Sequence, residues 1–187
     1  MSGVDNDRVA RQKEGTMTDT LERPTTAKSS RKKSTASAFT APKKLSDALQ
    51  KVLVELLELQ LQGKQAHWNV VGKNFRDLHL QLDEIIDSAR EFADVIAERM
   101  RALHSVPDGR SDTIAATTTL PAYPAGETDT AETVDLITAR LQAVAHTARS
   151  VHDTVDDADP TSADILHAII EKIEQYAWMV GAENRTP

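Results

Sequence analysis

Apolar residues recur every three or four positions through two long stretches of this chain, and no stretch alternates with the period of two that a half-buried strand requires. Leu49, Val52, Leu53, Val54, Leu56 and Leu57 mark a first helix. It is expected to start at Ser46, a residue suited to the N-cap, and to run to about Val71, where Gly72 ends it. Asn74 is the expected cap of a second helix, with Asp77 in its first turn; carried to about Leu103, that helix is about 45 Å long. Pro107-Asp108-Gly109 then breaks the pattern, a short helical segment follows over about 111–118, and Pro121 and Pro124 close the loop. A third helix starts near Asp129, with Glu132 in the capping-box position, and carries Val134, Ile137, Leu141, Val144, Ala148, Val151 and Val155. The turn Asp156-Asp157-Ala158-Asp159-Pro160 stops it. The last helix, about 161–181, carries Ile165, Leu166, Ile169, Ile170, Ile173, Ala177 and Trp178. Four long amphipathic helices with one long connection between the second and third predict an all-α four-helix bundle.

Charge divides the chain differently. The net charge of −7 combines +5 over residues 1–44 (ten Lys/Arg, five Asp/Glu) with −12 over the remainder. Residues 1–44 have almost no large apolar side chains, so they are expected to be a disordered basic tail ahead of a helical domain at 45–187. The residues before Met17 carry no structural pattern, and Met17 is an alternative start. Lys28, Arg31, Lys32, Lys33, Lys43 and Lys44 stand in an acid-free run, a composition suited to the phosphates of nucleic acid. The chain has no cysteine, which excludes disulfides and thiolate metal sites. With neither a membrane-length apolar run nor the apolar core of a secretory signal, a soluble intracellular protein is expected.

The second helix carries polar groups where an apolar stripe belongs. At 100° per residue from His79, Asp83 falls near 40°, Asp94 near 60° and Glu98 near 100°. A polar stripe is ordinarily a solvated face. Imidazole mixed with carboxylate, however, is a donor set for Fe(II) and related divalent ions. Asp83 and Asp94 lie about 16.5 Å apart along the axis, too far for one ion. Either the two pairs are unrelated or a second chain completes each site. Register favours the second option, because His79 with Glu98 and Asp83 with Asp94 share the same midpoint, between Ser88 and Ala89. An antiparallel two-fold pairing there faces His79 with Glu98 and Asp83 with Asp94 of the other copy, and Asp87 with its Arg90. Two small residues at the centre would permit close approach. His67, at the end of the first helix, would close each site from one side.

The run H-W-N-V-V-G-K-N-F-R-D-L-H from His67 to His79, then Asp83-Glu84, then Asp94 and Glu98, resembles the signature of Dps, the ferritin-like DNA-binding proteins from starved cells. The resemblance extends over 45–187 and includes P-D-G-R before the short helix. It implies a ferritin-like bundle with an extra short helix between helices 2 and 3, assembled as a hollow dodecamer on two-fold dimers. It also implies Fe(II)/Fe(III) chemistry at intersubunit ferroxidase sites. His67, His79 and Asp83 would come from one subunit, and Asp94 and Glu98 from its neighbour. Hydrogen peroxide or dioxygen would be the oxidant, ferric iron would be stored inside, and DNA would be bound without regard to sequence, in the cytoplasm on the nucleoid.

Glu98 is the carboxylate expected to bridge two irons. Trp68, beside a ligand, is either core or placed to intercept oxidising equivalents. Tyr176 and Trp178 are expected in the core or an interface. His104, His146, His152 and His167 lack a matched partner set and read as structural. Asp156, Asp157, Asp159 and Asp164 surround the start of the last helix, where similar proteins place acidic residues along an iron-entry pore; alternatively Asp164 closes a capping box with Thr161 and the others are solvated. The competing reading of the whole chain is a nucleoid-packing protein whose metal site is structural or idle.

Overall fold

The structure, a computed structural model, describes residues 39–186. Lys28, Arg31, Lys32 and Lys33 lie outside the described residues. Four long helices and a short one account for most of the described chain: α1 Lys43–Asn69, α2 Phe75–Ala102, α3 Ser111–Thr117, α4 Thr130–Ala158 and α5 Pro160–Gly181, with a 3-10 turn at Ala182–Asn184. Helices α1 and α2 pack as one hairpin and α4 and α5 as another, and α1 also packs on α4. The shared core holds the apolar residues read from the sequence, including Leu49, Leu56, Ile137, Leu141, Leu166 and Ile173, together with Leu82, Ile85 and Ile96 of α2, all fully buried. Hairpin α1–α2 is close-packed: a Cβ on Gly63 would stand 2.8 Å from Ile86 Cγ1. No described helix is long and apolar enough to cross a membrane.

Several boundaries differ from expectation. Helix α1 starts at Lys43, not Ser46, because Pro42 occupies the N-cap position and its carbonyl accepts the Ser46 N–H at 3.1 Å. Lys43 and Lys44 therefore sit in the first turn of a helix rather than in a tail, and Lys43 Nζ pairs with Asp47 at 2.6 Å. Asn74 begins α2 in the left-handed conformation, at φ 60°, and its side chain makes no capping bond. Asp129 caps α4 as expected, accepting the Glu132 N–H at 2.9 Å.

Helix α1 also stops before Val71, because Val70 and Val71 pair in parallel with Thr128 and Asp129. Two residues are too few to show strand alternation, so this bridge was invisible to periodicity. It ties the α1–α2 turn to the start of α4, and Gly72 supplies the φ of 118° needed to leave it.

Polar anchors hold the long connection onto the bundle. Gln50 takes the Asp108 N–H (2.9 Å) and gives its own amide to the Asp108 carbonyl (2.8 Å). Buried Glu55 accepts from the Thr119 N–H and from the Thr118 and Thr119 hydroxyls. Arg140, only 2% exposed, donates to Gln62 Oε1 and to the carbonyls of Leu136, Pro121 and Ala122. Within P-D-G-R, the Asp108 carboxylate accepts from Arg110 and Thr113 and is held far below the ordinary carboxyl range by them. A buried carboxylate or guanidinium persists only with such partners.

The α4–α5 turn is fastened to α2 in the same way. Arg99 donates to Asp159 Oδ2 (2.7 Å) and to Ser162 Oγ (3.1 Å), and Ser162 also donates to Asp159. The proposed capping box of Thr161 with Asp164 does not form; Pro160 opens α5 and no side chain caps it. Burial alone would raise the Asp159 carboxyl, but the Ser162 and Arg99 hydrogen bonds outweigh it and lower the pKa. A depressed folded-state pKa adds stability that is present above the unfolded value near 3.8 and is lost as pH falls through the folded value. Arg99→Leu should therefore cost about 2–3 kcal/mol at neutral pH and progressively less below pH 3.8, as read from denaturant unfolding across that range.

Candidate metal centre

His67 lies in the last turn of α1, 8% exposed, and His79 in the second turn of α2. Each ring bonds the other residue's backbone: His67 Nδ1–H donates to the His79 carbonyl at 3.0 Å, and His79 Nδ1–H donates to the His67 carbonyl at 2.9 Å. A carbonyl oxygen only accepts, so both rings carry their proton on Nδ1 and present a lone pair at Nε2. The rings stack at 3.6 Å between centroids and 23° between planes, with Phe75 against His79 at 5.0 Å. Both imidazoles are thus fixed in orientation and tautomer before any ion arrives.

Asp83, one turn beyond His79, completes a group of three whose ligand atoms lie within 4.8 Å of one another. Its Oδ1 stands 3.3 Å from His67 Nδ1 and accepts from Lys64 Nζ at 2.6 Å. The Lys64 hydrogen bond is the main cause of a lowered Asp83 pKa; slight burial opposes it, and the positive charge of Lys64 adds to it. The carboxylate is therefore ionised and ready to hold a cation throughout the neutral range. Lys64 was missed in the sequence, although it precedes His67 by three residues and so shares its face of α1.

Asp94 and Glu98 do not join this group. Both are exposed on α2, Asp94 about 16.5 Å along the helix from Asp83. Asp94 lines a cleft of about 810 Å³ together with Asp87, Arg90, Ala97 and Leu57. The presumed small centre of a two-fold contact is not an outward surface: Ala89 is fully buried in the chain's own core, and Ser88 Oγ bonds the Tyr176 hydroxyl at 3.1 Å. Arg90 already reaches Asp87 of its own chain at 3.4 Å. Trp68 is 71% exposed and belongs to no core; Tyr176 is buried, whereas Trp178 is 66% exposed. His152 and His167, read as lacking partners, meet each other at Nε2.

Residues 46–186 match the ferritin-like domain family model. The chain is 39% identical over 140 residues to DNA protection during starvation protein 2 of Deinococcus radiodurans, a match covering 75% of this chain and 58% of that one. A DNA protection during starvation protein of Agrobacterium fabrum is 33% identical over 135 residues, covering 72% of this chain and 83% of that one. This chain belongs to the Dps branch of the ferritin-like proteins. Its fold superposes on the crystal structure of Dps92 from Deinococcus radiodurans with a TM-score of 0.75 at 38% identity, over 78% of this chain and 88% of that one. Mycobacterium smegmatis Dps gives 0.74 at 30% identity, over 79% and 95%. Among the described residues of this Dps-family chain, the group of His67, His79 and Asp83 is the one cluster of three or more potential metal ligands.

Lys64 holds the position that a cation beside Asp83 would take. Lys64→Met should therefore tighten binding of a divalent ion about two- to fivefold, the scale of one half-exposed ion pair. Anaerobic titration with Co2+, followed by visible absorption, reads this out.

Proposed function

We propose that this protein is a ferroxidase and iron store of the Dps type, with each catalytic site shared between two copies related by a two-fold axis. The observation that carries the reading is an incomplete site beside its missing half. Three donors converge at one end of the α1–α2 hairpin, while Asp94 and Glu98 stand exposed further along α2 at the spacing that a two-fold axis would bring opposite them. In the dimer, His67, His79 and Asp83 of one copy bind Fe(II) together with Asp94 and Glu98 of the other. Fe(II) and hydrogen peroxide or dioxygen are the substrates.

Neutral imidazoles with Nδ1 already bonded leave Nε2 as the donor atom. The carboxylates neutralise the charge that grows as iron is oxidised, Glu98 bridging two ions and Trp68 standing next to His67 to intercept stray oxidising equivalents. Ferric product is stored inside a hollow dodecamer, and the relatives' names, DNA protection during starvation, support the same reading. The axis meets α2 through its outward groups, including Asp87, Arg90 and Glu91, rather than through Ser88 and Ala89.

Two half-site variants test sharing. His79→Ala/Asp83→Ala and Asp94→Ala/Glu98→Ala should each lose Fe(II) oxidation, whereas chains co-assembled from both should regain activity through mixed pairs holding one intact site. Mixed assemblies as inactive as their parents would refute the shared site.

DNA is bound through Lys28, Arg31, Lys32 and Lys33, with Lys44 at the start of α1 adjoining and Lys43 partly neutralised by Asp47. The remainder from residue 45 carries −12 and repels a polyanion. About four neutralised phosphates per segment give a log–log salt slope of roughly −4, steeper where several segments engage one DNA. Replacing these four residues by serine should abolish gel retardation of DNA at low salt and leave iron oxidation intact. Retained DNA binding would place the contact elsewhere.

A further inference from the structure

His152 on α4 and His167 on α5 approach with their Nε2 atoms 2.7 Å apart and their rings stacked at 4.7 Å between centroids. The opposite edge of each ring faces a carboxylate. His152 Nδ1 lies 3.2 Å from Asp153 Oδ1, and His167 Nδ1 lies 3.6 Å from Asp164 Oδ1. A carboxylate oxygen only accepts, so the Asp153 contact draws the His152 ring proton to Nδ1 and leaves its lone pair at Nε2, whereas Asp164, at 3.6 Å, is too far to fix the tautomer of His167. At 2.7 Å a His167 N–H at Nε2 donates to that lone pair, whereas a His167 lone pair there would meet it and require a cation between them. A shared proton satisfies one pair at a time. A metal ion bonded to both satisfies them together.

The geometry points to a second metal site, in which His152 and His167 chelate one borderline divalent transition ion, of the Zn2+ or Co2+ class, through Nε2. Imidazole donors select this class over Mg2+ and Ca2+. Metal–nitrogen bonds of about 2.0–2.1 Å at a tetrahedral angle require the two nitrogens about 3.3 Å apart. The pair has only to open by about 0.6 Å from its present spacing, and His167, whose side chain is 59% exposed, has room to swing. Glu171, one turn along α5 from His167, lines the same cleft of about 580 Å³ and is placed to supply a carboxylate oxygen. Glu174, in the same cleft, is already engaged by Arg149 at 2.6 Å. The carboxylate–imidazole pair with Asp153 orients the His152 ring, which is how protein-bound imidazole ligands are ordinarily supported. This site shares no residue with the α1–α2 centre, so it stands whether or not that centre oxidises iron.

The test uses the full chain carrying His79→Ala and Asp83→Ala, which removes the α1–α2 donor group. Zn2+ is followed by calorimetry and Co2+ by visible absorption, with Mg2+ and Ca2+ as controls. One Zn2+ or Co2+ per chain is expected. Adding His152→Ala or His167→Ala should weaken binding at least about 100-fold, and Asp153→Asn should weaken it about tenfold. Unchanged helical circular dichroism establishes that each variant is folded. The site is overturned if no Zn2+ binds, so that the rings share only a proton. Binding that survives both histidine variants, or equal binding of Mg2+, overturns it as well and assigns the ion to surface carboxylates.

Discussion

A neutral imidazole has one N–H and one lone pair, so whatever takes the N–H fixes where the lone pair points. At the end of the α1–α2 hairpin each of two rings gives its N–H to the backbone carbonyl of the other's residue. This reciprocal contact does two things at once. It pins the last turn of α1 against the second turn of α2, and it leaves two Nε2 lone pairs with no rotational freedom. The preorganisation therefore comes from backbone carbonyls rather than from carboxylates.

The length of α2 matters in a different way. A helix of 28 residues separates its two polar groups by more than any ion can span, so neither end is a complete site in one chain. In the proposed dimer, one two-fold operation would bring both mismatched ends into register together. The chain's own packing restricts how the copies meet. Ala89 is committed to the core and Ser88 to Tyr176, so in the proposed dimer an approaching copy would meet charged, outward groups such as Asp87, Arg90 and Glu91.

The connection between α2 and α4 runs across the bundle without a regular framework beyond α3. Its backbone would be left with unpartnered carbonyls and N–H groups if it merely lay on apolar surface. Gln50, Glu55 and Arg140 answer those groups from α1 and α4. Polar and charged side chains at those positions are a consequence of covering an irregular segment, and they make the loop part of the fold.

The sequence by itself determined the helices, their apolar faces and the candidate ligands, because each follows from spacing along one chain. Helical periodicity placed Leu49, Ile137 and Ile173 in the core, and the run from His67 through His79 to Asp83 marked the half-site that the fold brings together. The tertiary structure alone decided which atoms of those residues are available. The Nδ1 bonds, the Lys64–Asp83 contact, the inward turn of Ala89 and the meeting of His152 with His167 all join residues on different helices or depend on what packs against a face. The start of α1 at Lys43 and the bridge at Val70–Val71 also lay beyond the sequence reading. A proline's position and a two-residue pairing leave no periodic trace, and only the packed chain brings their partners within hydrogen-bond reach.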